Sequence, residues 1–317
     1  MSRLMKRTGP AAAPPVAVRE LTAVSADGSR IHVELHGPED APAVVLAHGW
    51  TCSTHFWAAQ IRDLAGDHRV IAYDQRGHGR SPAVARDGHS TEALADDLEA
   101  VLATALAPGT KAVLAGHSMG GMAIMAAAGR PKFAEHAAAA LLCSTGSSRL
   151  VDEALVVPMR PGRIRTRLTT SILGSSAPLG PVTPLSKRVL RYATMGPATA
   201  PERVAECARI VHACPRGTRV GWAVGVLEEL DLDASVGQLS VPTAVLVGTA
   251  DRLTPVVHTR AIAEALPRCV DVTELPGMGH MTPVEAPEAV NGLIRSLADV
   301  YLDGRSDISP KAEEQAV

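Results

Sequence analysis

The pentapeptide Gly116-His117-Ser118-Met119-Gly120 constrains the fold of this chain more than any other part of its sequence. The mostly apolar residues 111–115 before it predict a short buried strand, and the Met-, Ala- and Gly-rich residues 119–128 after it predict a packed helix. Glycines on both sides of Ser118 permit a turn that is too tight for larger side chains. Such a strand–turn–helix unit holds a serine in a strained conformation with its Oγ exposed, as a nucleophile requires.

The rest of the chain alternates between strand and helix patterns. Continuous apolar runs, typical of strands buried on both faces, lie at 43–47, 69–73, 137–143 and 243–247, and a further strand is predicted at 270–275. Helical spacing of apolar residues predicts helices at 55–64, 92–106 and 287–300. Near the start, Asp27-Gly28 favours a hairpin between 18–24 and 30–36. This order predicts an α/β fold with a mostly parallel central sheet and helices on both faces.

The strand–helix alternation stops between about 145 and 219, where proline and glycine are frequent and the helical patterns are short. We interpret residues 146–219, hereafter the lid segment, as a lid inserted into a core formed by 18–145 and 220–300. Residues 1–17 are predicted to be a disordered lead-in, and 301–317 a flexible tail. From Ser147 to Arg219 there are 12 Lys and Arg against 4 Asp and Glu, a net charge of +8 that leaves −10 elsewhere.

Composition narrows the functional classes. The 317 residues suffice for one large α/β domain with an insertion, and a net charge of −2 argues against nucleic acid as a partner. No apolar run is long enough to span a membrane, and prolines interrupt residues 1–15 where a signal peptide needs an apolar stretch. The 5 scattered cysteines, without a C-x-x-C, predict free thiols in a reducing cytoplasm. The histidines form no metal-binding pattern, so we propose no metal.

Two polar residues follow later strands and complete a possible catalytic set. Asp251 comes after the strand at 243–247, and His280 comes after the strand at 270–275. Loops that leave the carboxyl edge of a parallel sheet gather in one place, so we expect Ser118, Asp251 and His280 to meet there. His280 could take the serine proton near neutral pH, while Asp251 would orient the imidazole and stabilise its cation.

Five motifs in this order resemble those of the α/β-hydrolase family. They are His48-Gly49-Trp50, the D-x-R-G-x-G-x-S pattern of 74–81, the pentapeptide around Ser118, and the segments that carry Asp251 and His280. The resemblance covers about residues 18–300, with the lid segment matching only in position. It implies an esterase- or lipase-like enzyme of the serine branch that needs no cofactor. It also implies that the backbone N–H groups of Trp50 and Met119 form an oxyanion hole, which stabilises the negative oxygen of a tetrahedral intermediate.

The leading hypothesis is a serine hydrolase that cleaves a carboxylic ester of a small-molecule acyl substrate through an acyl-enzyme on Ser118. The serine nucleophile argues against the epoxide hydrolases and haloalkane dehalogenases of this family, which use aspartate. Carbon–carbon bond hydrolases, lactonases, thioesterases, acyltransferases and cofactor-free perhydrolases stay open, because the fold alone does not choose among them. A ligand-binding receptor with slow turnover is a further alternative.

Several residues allow two readings. Asp251 could instead pair with the adjacent Arg252, and Trp50 could line an acyl pocket or belong to the core. His48 and His117 fit structural hydrogen bonding better than catalysis.

The apolar residues of the lid segment could line an acyl tunnel or hold the segment to the core: Leu155, Val156, Val157, Met159, Ile172 and Leu173. Its arginines could attract an anionic substrate or a phospholipid surface, face solvent, or pair with the acidic core: Arg160, Arg163, Arg165 and Arg167.

Overall fold

The structure is a computed structural model that describes residues 19–85, 88–227 and 230–303. The predicted lead-in and residues 304–317 of the predicted tail lie outside the described residues.

An eight-stranded sheet in the order β1-β2-β4-β3-β5-β6-β7-β8 forms the centre of the protein. Strand β2 pairs antiparallel with β1 and β4, and every other pair is parallel. This architecture confirms the predicted α/β fold. The strands are β1 (Arg19–Val24), β2 (Arg30–His36), β3 (Ala43–Ala47), β4 (Arg69–Tyr73), β5 (Ala112–His117), β6 (Ala137–Cys143), β7 (Thr243–Gly248) and β8 (Cys269–Leu275).

Two hydrophobic cores lie on the two faces of this sheet. In β3 and β5 every residue is buried, as expected for central parallel strands that helices cover on both sides. Alternate residues point to opposite faces, so that Val45 and Leu114 join one core while Val44 and Val113 join the other. Continuous apolar runs in the sequence therefore reflect the two-sided burial of this sheet.

Thirteen α-helices within the described ranges connect and cover the strands. They are α1 (Ala58–Leu64), α2 (Thr91–Ala105), α3 (Met119–Ala126), α4 (Pro131–His136), α5 (Leu150–Glu153), α6 (Arg163–Leu173), α7 (Pro184–Thr194), α8 (Pro201–Ala213), α9 (Arg216–Trp222), α10 (Asp233–Val236), α11 (Val256–Ala265), α12 (Thr282–Glu285) and α13 (Pro287–Tyr301). A 3₁₀ turn at Thr54–Trp57 precedes α1, and a π-helical turn at Ala223–Leu227 follows α9.

The lid segment holds α5 to α8 and most of α9, between β6 and β7. Its longest helices have 11, 11 and 13 residues, whereas the sequence predicted only short pieces. Apolar residues recur at helical spacing in α6 and α7 although these helices bury few residues. The prolines and glycines between the helices explain why the prediction underestimated their length.

The loop of residues 74–81 is an internally bonded turn next to β4. The carboxylate of Asp74 accepts the backbone N–H of Thr54 at 2.8 Å and that of Arg80 at 2.9 Å. A side chain at Gly79, which has φ +51°, would collide with this carboxylate. These contacts give the loop a structural role and fix its position beside the candidate site.

The cysteines and the length of the apolar helices were also considered from the sequence. All five cysteines are free, with Cys52, Cys143 and Cys207 buried. Across 19–85, 88–227 and 230–303, no helix combines the length and the apolar character needed to cross a membrane.

Candidate active site

Ser118 lies at a tight turn between β5 and α3, with the backbone angles φ 51° and ψ −116°. Non-glycine residues rarely adopt a positive φ, so this conformation is strained. A side chain at Gly120 would collide with the carbonyl of Ala47, and one at Gly116 would lie 2.5 Å from the carbonyl of Gly120. Both glycines of the pentapeptide are therefore needed for β5, α3 and β3 to approach this closely around the serine.

Asp251 and His280 form a buried pair in the loops after β7 and β8. His280 Nδ1 lies 2.8 Å from Asp251 Oδ2. An ionised carboxylate only accepts, so Nδ1 carries the proton and Nε2 is left with a free lone pair. The other carboxylate oxygen accepts the N–H groups of Leu253 and Thr254 at 2.8 and 2.9 Å, which orients it. The Thr254 hydroxyl also donates to Oδ2, at 2.9 Å.

Arg252, the alternative partner of Asp251 considered from the sequence, binds other groups. The guanidinium of Arg252 donates to the carbonyl of Tyr192 at 2.6 Å and sits 4.5 Å from the centre of the Tyr192 ring. Within the described chain no ion pair joins Arg252 to Asp251. The carboxylate of Asp251 thus faces His280, as the catalytic hypothesis requires.

A cavity of about 210 Å³ brings the predicted site residues together. Ser118, His280, Trp50 and Met119 all line it, and Asp251 lies behind His280. The lid segment supplies much of the apolar wall through Val156, Ile172, Leu173, Leu179, Leu190 and Val211. The cavity is thus a mostly apolar pocket with a few polar groups in its wall, as in many small-molecule sites.

The apolar residues singled out in the lid segment divide into three groups. Val156, Ile172 and Leu173 line the cavity. Val157 is buried, whereas Leu155 and Met159 are exposed. Both uses considered from the sequence, a pocket lining and an attachment to the core, therefore occur within this one segment.

Trp50 and Met119, the two residues predicted to form an oxyanion hole, both line the cavity. Met119 begins α3, and the first intrahelical bond runs from Met122 N–H to the Ser118 carbonyl, so the N–H of Met119 has no acceptor within its helix. On the other side, Trp50 follows β3 and lines the same cavity, and its indole Nε1–H donates to the Arg219 carbonyl at 3.1 Å. Trp50 thus joins the cavity wall to α9.

Two neutral histidines shape the loop that carries Trp50. His48 Nε2 accepts the N–H of Gln75 at 3.0 Å, and its Nδ1–H donates to the Gly49 carbonyl at 2.7 Å. His78 Nε2 accepts the N–H of Thr51 at 3.1 Å. A ring nitrogen that accepts a backbone N–H must be unprotonated. Both histidines therefore serve as structural hydrogen-bonding groups, which agrees with the sequence interpretation of His48.

His117 contacts the loop that carries His280. Its Nε2–H donates to the backbone carbonyl of His280 at 2.9 Å, and the two rings lie 4.8 Å apart. A side chain at Gly49 would lie 2.6 Å from its Nδ1, so the rings, the serine turn and the Trp50 loop pack tightly. His117 is thus a positioning residue, and the sequence interpretation of it as a hydrogen-bonding group agrees with its contacts.

We expect these histidines to make the fold sensitive to mild acid. Burial lowers the pKa of His48, and it lowers the pKa values of His78 and His117 well below their ordinary value. The unfolded chain takes up protons at these sites below about pH 6.5, whereas the folded chain does not. Their contribution to stability is therefore complete above that pH and declines below it, by at most about 1.4 kcal/mol per histidine per pH unit.

Urea unfolding at pH 7.5 and at pH 5.5 would measure this loss. The carboxylates with lowered pKa values do not obscure it. Hydrogen bonding to Arg295 lowers the pKa of Asp67 to about 2, so its contribution to stability is lost between the unfolded-state pKa of about 3.9 and that value, below the pH range of this test. An equal free energy of unfolding at the two pH values would contradict the assignment of neutral, buried imidazoles.

Glu285, in α12, is a site residue that the sequence did not reveal. Its buried carboxylate accepts the N–H groups of Gly279 and Met281, each at 3.1 Å, on either side of His280. It also accepts the N–H of Gly196 at 2.7 Å and the hydroxyl of Thr199 at 2.6 Å, both in the lid segment. One carboxylate thus holds the histidine loop and the lid segment together. A Glu within T-P-V-E gives no local signal, because its partners lie far away in sequence.

The end of α7 makes a second connection to the same loop. The carbonyl of Thr194 accepts the N–H of His280 at 2.8 Å and that of Met281 at 3.2 Å. The backbone of the candidate general base is therefore bonded directly to the lid segment.

Replacing Glu285 with Gln is expected to lower kcat by roughly 10–100-fold with little change in KM. The amide NH₂ would face backbone N–H donors, which misplaces His280, whereas Glu285 itself does not line the cavity. Steady-state kinetics would measure the split, with the exposed Glu288→Gln as the matched control. A rise in KM at constant kcat would instead show that Glu285 acts on substrate binding.

Within the described residues, no group of three or more His, Cys, Asp or Glu side chains is arranged to hold a metal ion. The chemistry that this geometry offers is that of the serine, the imidazole–carboxylate pair and the backbone N–H groups.

Sequence comparisons show which known proteins this chain resembles. The profile of the alpha/beta hydrolase family matches residues 44–293. The chain is 30% identical over 274 residues to a putative carbamate hydrolase, RutD, of Variovorax paradoxus (strain S110), which covers 85% of this chain and 95% of that protein. Over 96 residues it is 45% identical to the bifunctional esterase/perhydrolase DCH of Acinetobacter calcoaceticus, covering 30% of this chain and 34% of that protein.

Solved structures give the same picture. A thermophilic esterase from Thermogutta terrifontis superimposes with a TM-score of 0.71 at 26% identity, over 90% of this chain and 100% of that chain. An enol-lactonase from Burkholderia xenovorans LB400 shares the fold, with a TM-score of 0.70 at 21% identity, over 88% of this chain and 100% of that chain. Since the family profile spans most of the chain, this protein is an enzyme of the alpha/beta hydrolase family.

Proposed function

We propose that this enzyme is a serine hydrolase that cleaves carboxylic esters with a short apolar acyl group. The observation that carries the proposal is the shared cavity: a strained serine and an imidazole oriented by a buried carboxylate line the same apolar pocket. A serine hydroxyl needs such a base to become a nucleophile at neutral pH. The named esterases among the relatives support this choice of substrate class.

The proposed mechanism assigns one role to each residue. Ser118 Oγ attacks the acyl carbonyl while His280 Nε2 takes its proton, and Asp251 stabilises the imidazolium through Nδ1. The N–H groups of Trp50 and Met119 hold the oxyanion of the tetrahedral intermediate. His280 then protonates the leaving alcohol and activates the water that releases the acid from Ser118. No step needs a cofactor.

The character of the cavity favours an ester over a carbamate. The relative from Variovorax paradoxus is named as a putative carbamate hydrolase. A small polar carbamate would leave the wall formed by Ile172, Leu173 and Leu190 uncovered, whereas an apolar acyl group would bury it. A volume of about 210 Å³ is below the ~300–1,000 Å³ of pockets for drug-sized ligands, which favours short acyl chains.

The test is the steady-state hydrolysis of p-nitrophenyl esters from acetate to laurate, with a p-nitrophenyl carbamate in parallel. We expect multiple turnover, an optimum at short acyl chains, and kcat/KM for the best ester above that for the carbamate. A burst of one equivalent without turnover would favour a receptor or an acyltransferase that lacks its acceptor. A preference for the carbamate would overturn the proposed substrate class but leave the serine mechanism in place.

A further inference from the structure

Exposed apolar side chains are concentrated in the lid segment. Of 14 large apolar side chains exposed within the described ranges, 10 lie between Leu155 and Tyr192. Single exposed apolar residues are ordinary on protein surfaces, but clusters of them mark interaction sites. This concentration within a short part of the chain therefore indicates an interaction site.

The two helices α6 and α7 carry six of these 10 side chains, at helical spacing. Residues three or four apart lie on one face of a helix, so each helix presents an apolar stripe to solvent. The most exposed positions are Leu185 at 71%, Ile164 at 66% and Val189 at 58%. We define the apolar face of the lid segment as two stripes, Ile164, Leu168 and Ile172 on α6 with Leu185, Val189 and Tyr192 on α7. Both helices border the cavity, α6 through Ile172 and α7 through Leu190.

The charge around this face has one sign. Residues 154–201 contain no Asp or Glu but 7 Lys and Arg: Arg160, Arg163, Arg165, Arg167, Lys187, Arg188 and Arg191. Arg165 is buried and donates to the backbone carbonyl of Asp152. The other six form no ion pair within the described part of the chain, where the lid segment holds only the Arg149–Glu153 pair. Pairing with the acidic core, one of the alternatives raised by the sequence, is thus not what these residues do.

Charge and continuity with the cavity identify the partner. Two copies of this face would bring like charges together, which opposes self-association. Ile172 and Leu179 are 52% and 41% exposed and also line the cavity, so the apolar surface runs into the candidate active site. An apolar helical face with arginines beside it is suited to the boundary of an anionic lipid layer, where the apolar side chains insert and the guanidinium groups meet phosphate.

We propose that the lid segment docks on anionic lipid surfaces through this apolar face and its flanking arginines. This inference goes beyond the proposed hydrolase activity. Docking would place the cavity mouth next to the lipid, from which an amphiphilic ester could enter without crossing water.

Vesicle binding of the full-length chain tests this interaction. The Ser118→Ala variant avoids hydrolysis of the probe, so binding is measured independently of the proposed activity. The probes are vesicles of phosphatidylcholine with and without phosphatidylglycerol, separated by flotation. We expect binding only to the vesicles with phosphatidylglycerol, and weaker binding as salt is raised.

Variants assign the binding to its residues. Adding Arg163→Gln with Arg188→Gln is expected to weaken binding by roughly 30-fold, because each basic residue near an anionic surface contributes about 1 kcal/mol. The matched control removes two exposed arginines elsewhere, Arg30→Gln with Arg62→Gln, and should leave affinity nearly unchanged.

The apolar side chains are tested in the same way. Ile164→Ser with Leu185→Ser should abolish flotation, whereas Val257→Ser with Val272→Ser, exposed on the core, should not. Failure to bind phosphatidylglycerol vesicles, or equal binding of test and control variants, would overturn the proposal. Sedimentation that shows a dimer dissolved by Ile164→Ser with Leu185→Ser would assign the face to a second copy instead.

Discussion

Replacing Ser118 with Ala is expected to lower kcat for ester hydrolysis by about 10⁶-fold, close to the background of the remaining site. The substitution removes Ser118 Oγ, which is the atom proposed to form the bond to the acyl group. Ser118 lies outside the two hydrophobic cores, and alanine retains the Cβ that the turn already accommodates, so the fold should be preserved. Kinetics with the preferred p-nitrophenyl ester would measure the loss.

The double variant with His280→Ala sharpens this prediction. Residues that act as one catalytic unit are strongly non-additive, so the double variant should be no slower than either single variant. Covalent labelling by a fluorophosphonate should reach one equivalent in the unmodified enzyme and vanish with Ser118→Ala. Activity that survives Ser118→Ala, or additive losses in the double variant, would exclude the proposed acyl-enzyme.

Replacing Asp97 with Ala is expected to lower the free energy of unfolding by about 3–5 kcal/mol. The guanidinium of Arg76, in the loop after β4, is 1% exposed and is bound by the Asp97 carboxylate at 2.7 and 2.6 Å. Burial alone would lower the pKa of Arg76, but contacts with Asp97 and Asp27 raise it, so the group stays charged. Among the described residues, removing Asp97 leaves this buried charge with the half-exposed Asp27 as its remaining acidic partner.

Urea unfolding would measure the effect, and Asp63→Ala is the matched control. Asp63 also accepts from an arginine, Arg295, at 3.1 Å, but its side chain is 46% exposed. Exposed ion pairs contribute about 0–1 kcal/mol, so this control should lose little. If Asp97→Ala were no more damaging than Asp63→Ala, the buried pair would not be holding α2 to the loop of residues 74–81.

The sequence predicted the parts of this fold whose causes are local. Strands β3, β4 and β6 have the predicted bounds, because continuous burial leaves a clear apolar run, and β2 has them because the hairpin turn fixes where it begins. The hairpin turn at Gly28, with φ +83°, likewise follows from Asp-Gly alone. Their positions after parallel strands predicted that Ser118, Asp251 and His280 would meet at one edge of the sheet; Ser118 and His280 line one cavity, and Asp251 bonds to His280.

Long-range contacts escaped prediction for a physical reason. Glu285 holds Gly196 and Gly279, which come from different parts of the chain, and no pattern around any of the three indicates the others. For Glu285 the missing information is three-dimensional proximity. The helices α6 and α7 were underestimated for another reason: their apolar residues do recur at helical spacing, but the prolines and glycines between them, such as Gly162, Gly174 and Pro184, led the prediction to shorter pieces.

Because the N–H of His280 donates to the Thr194 carbonyl, the lid segment is not an interchangeable module. A chimaera that receives this segment from a relative would also receive a new acceptor for the backbone of His280, the proposed general base. Substrate preference and turnover rate should therefore change together in such chimaeras, even when every residue of the core is retained. Substitutions in α7 that change the pocket would therefore also change the position of His280, and with it the proposed proton transfer.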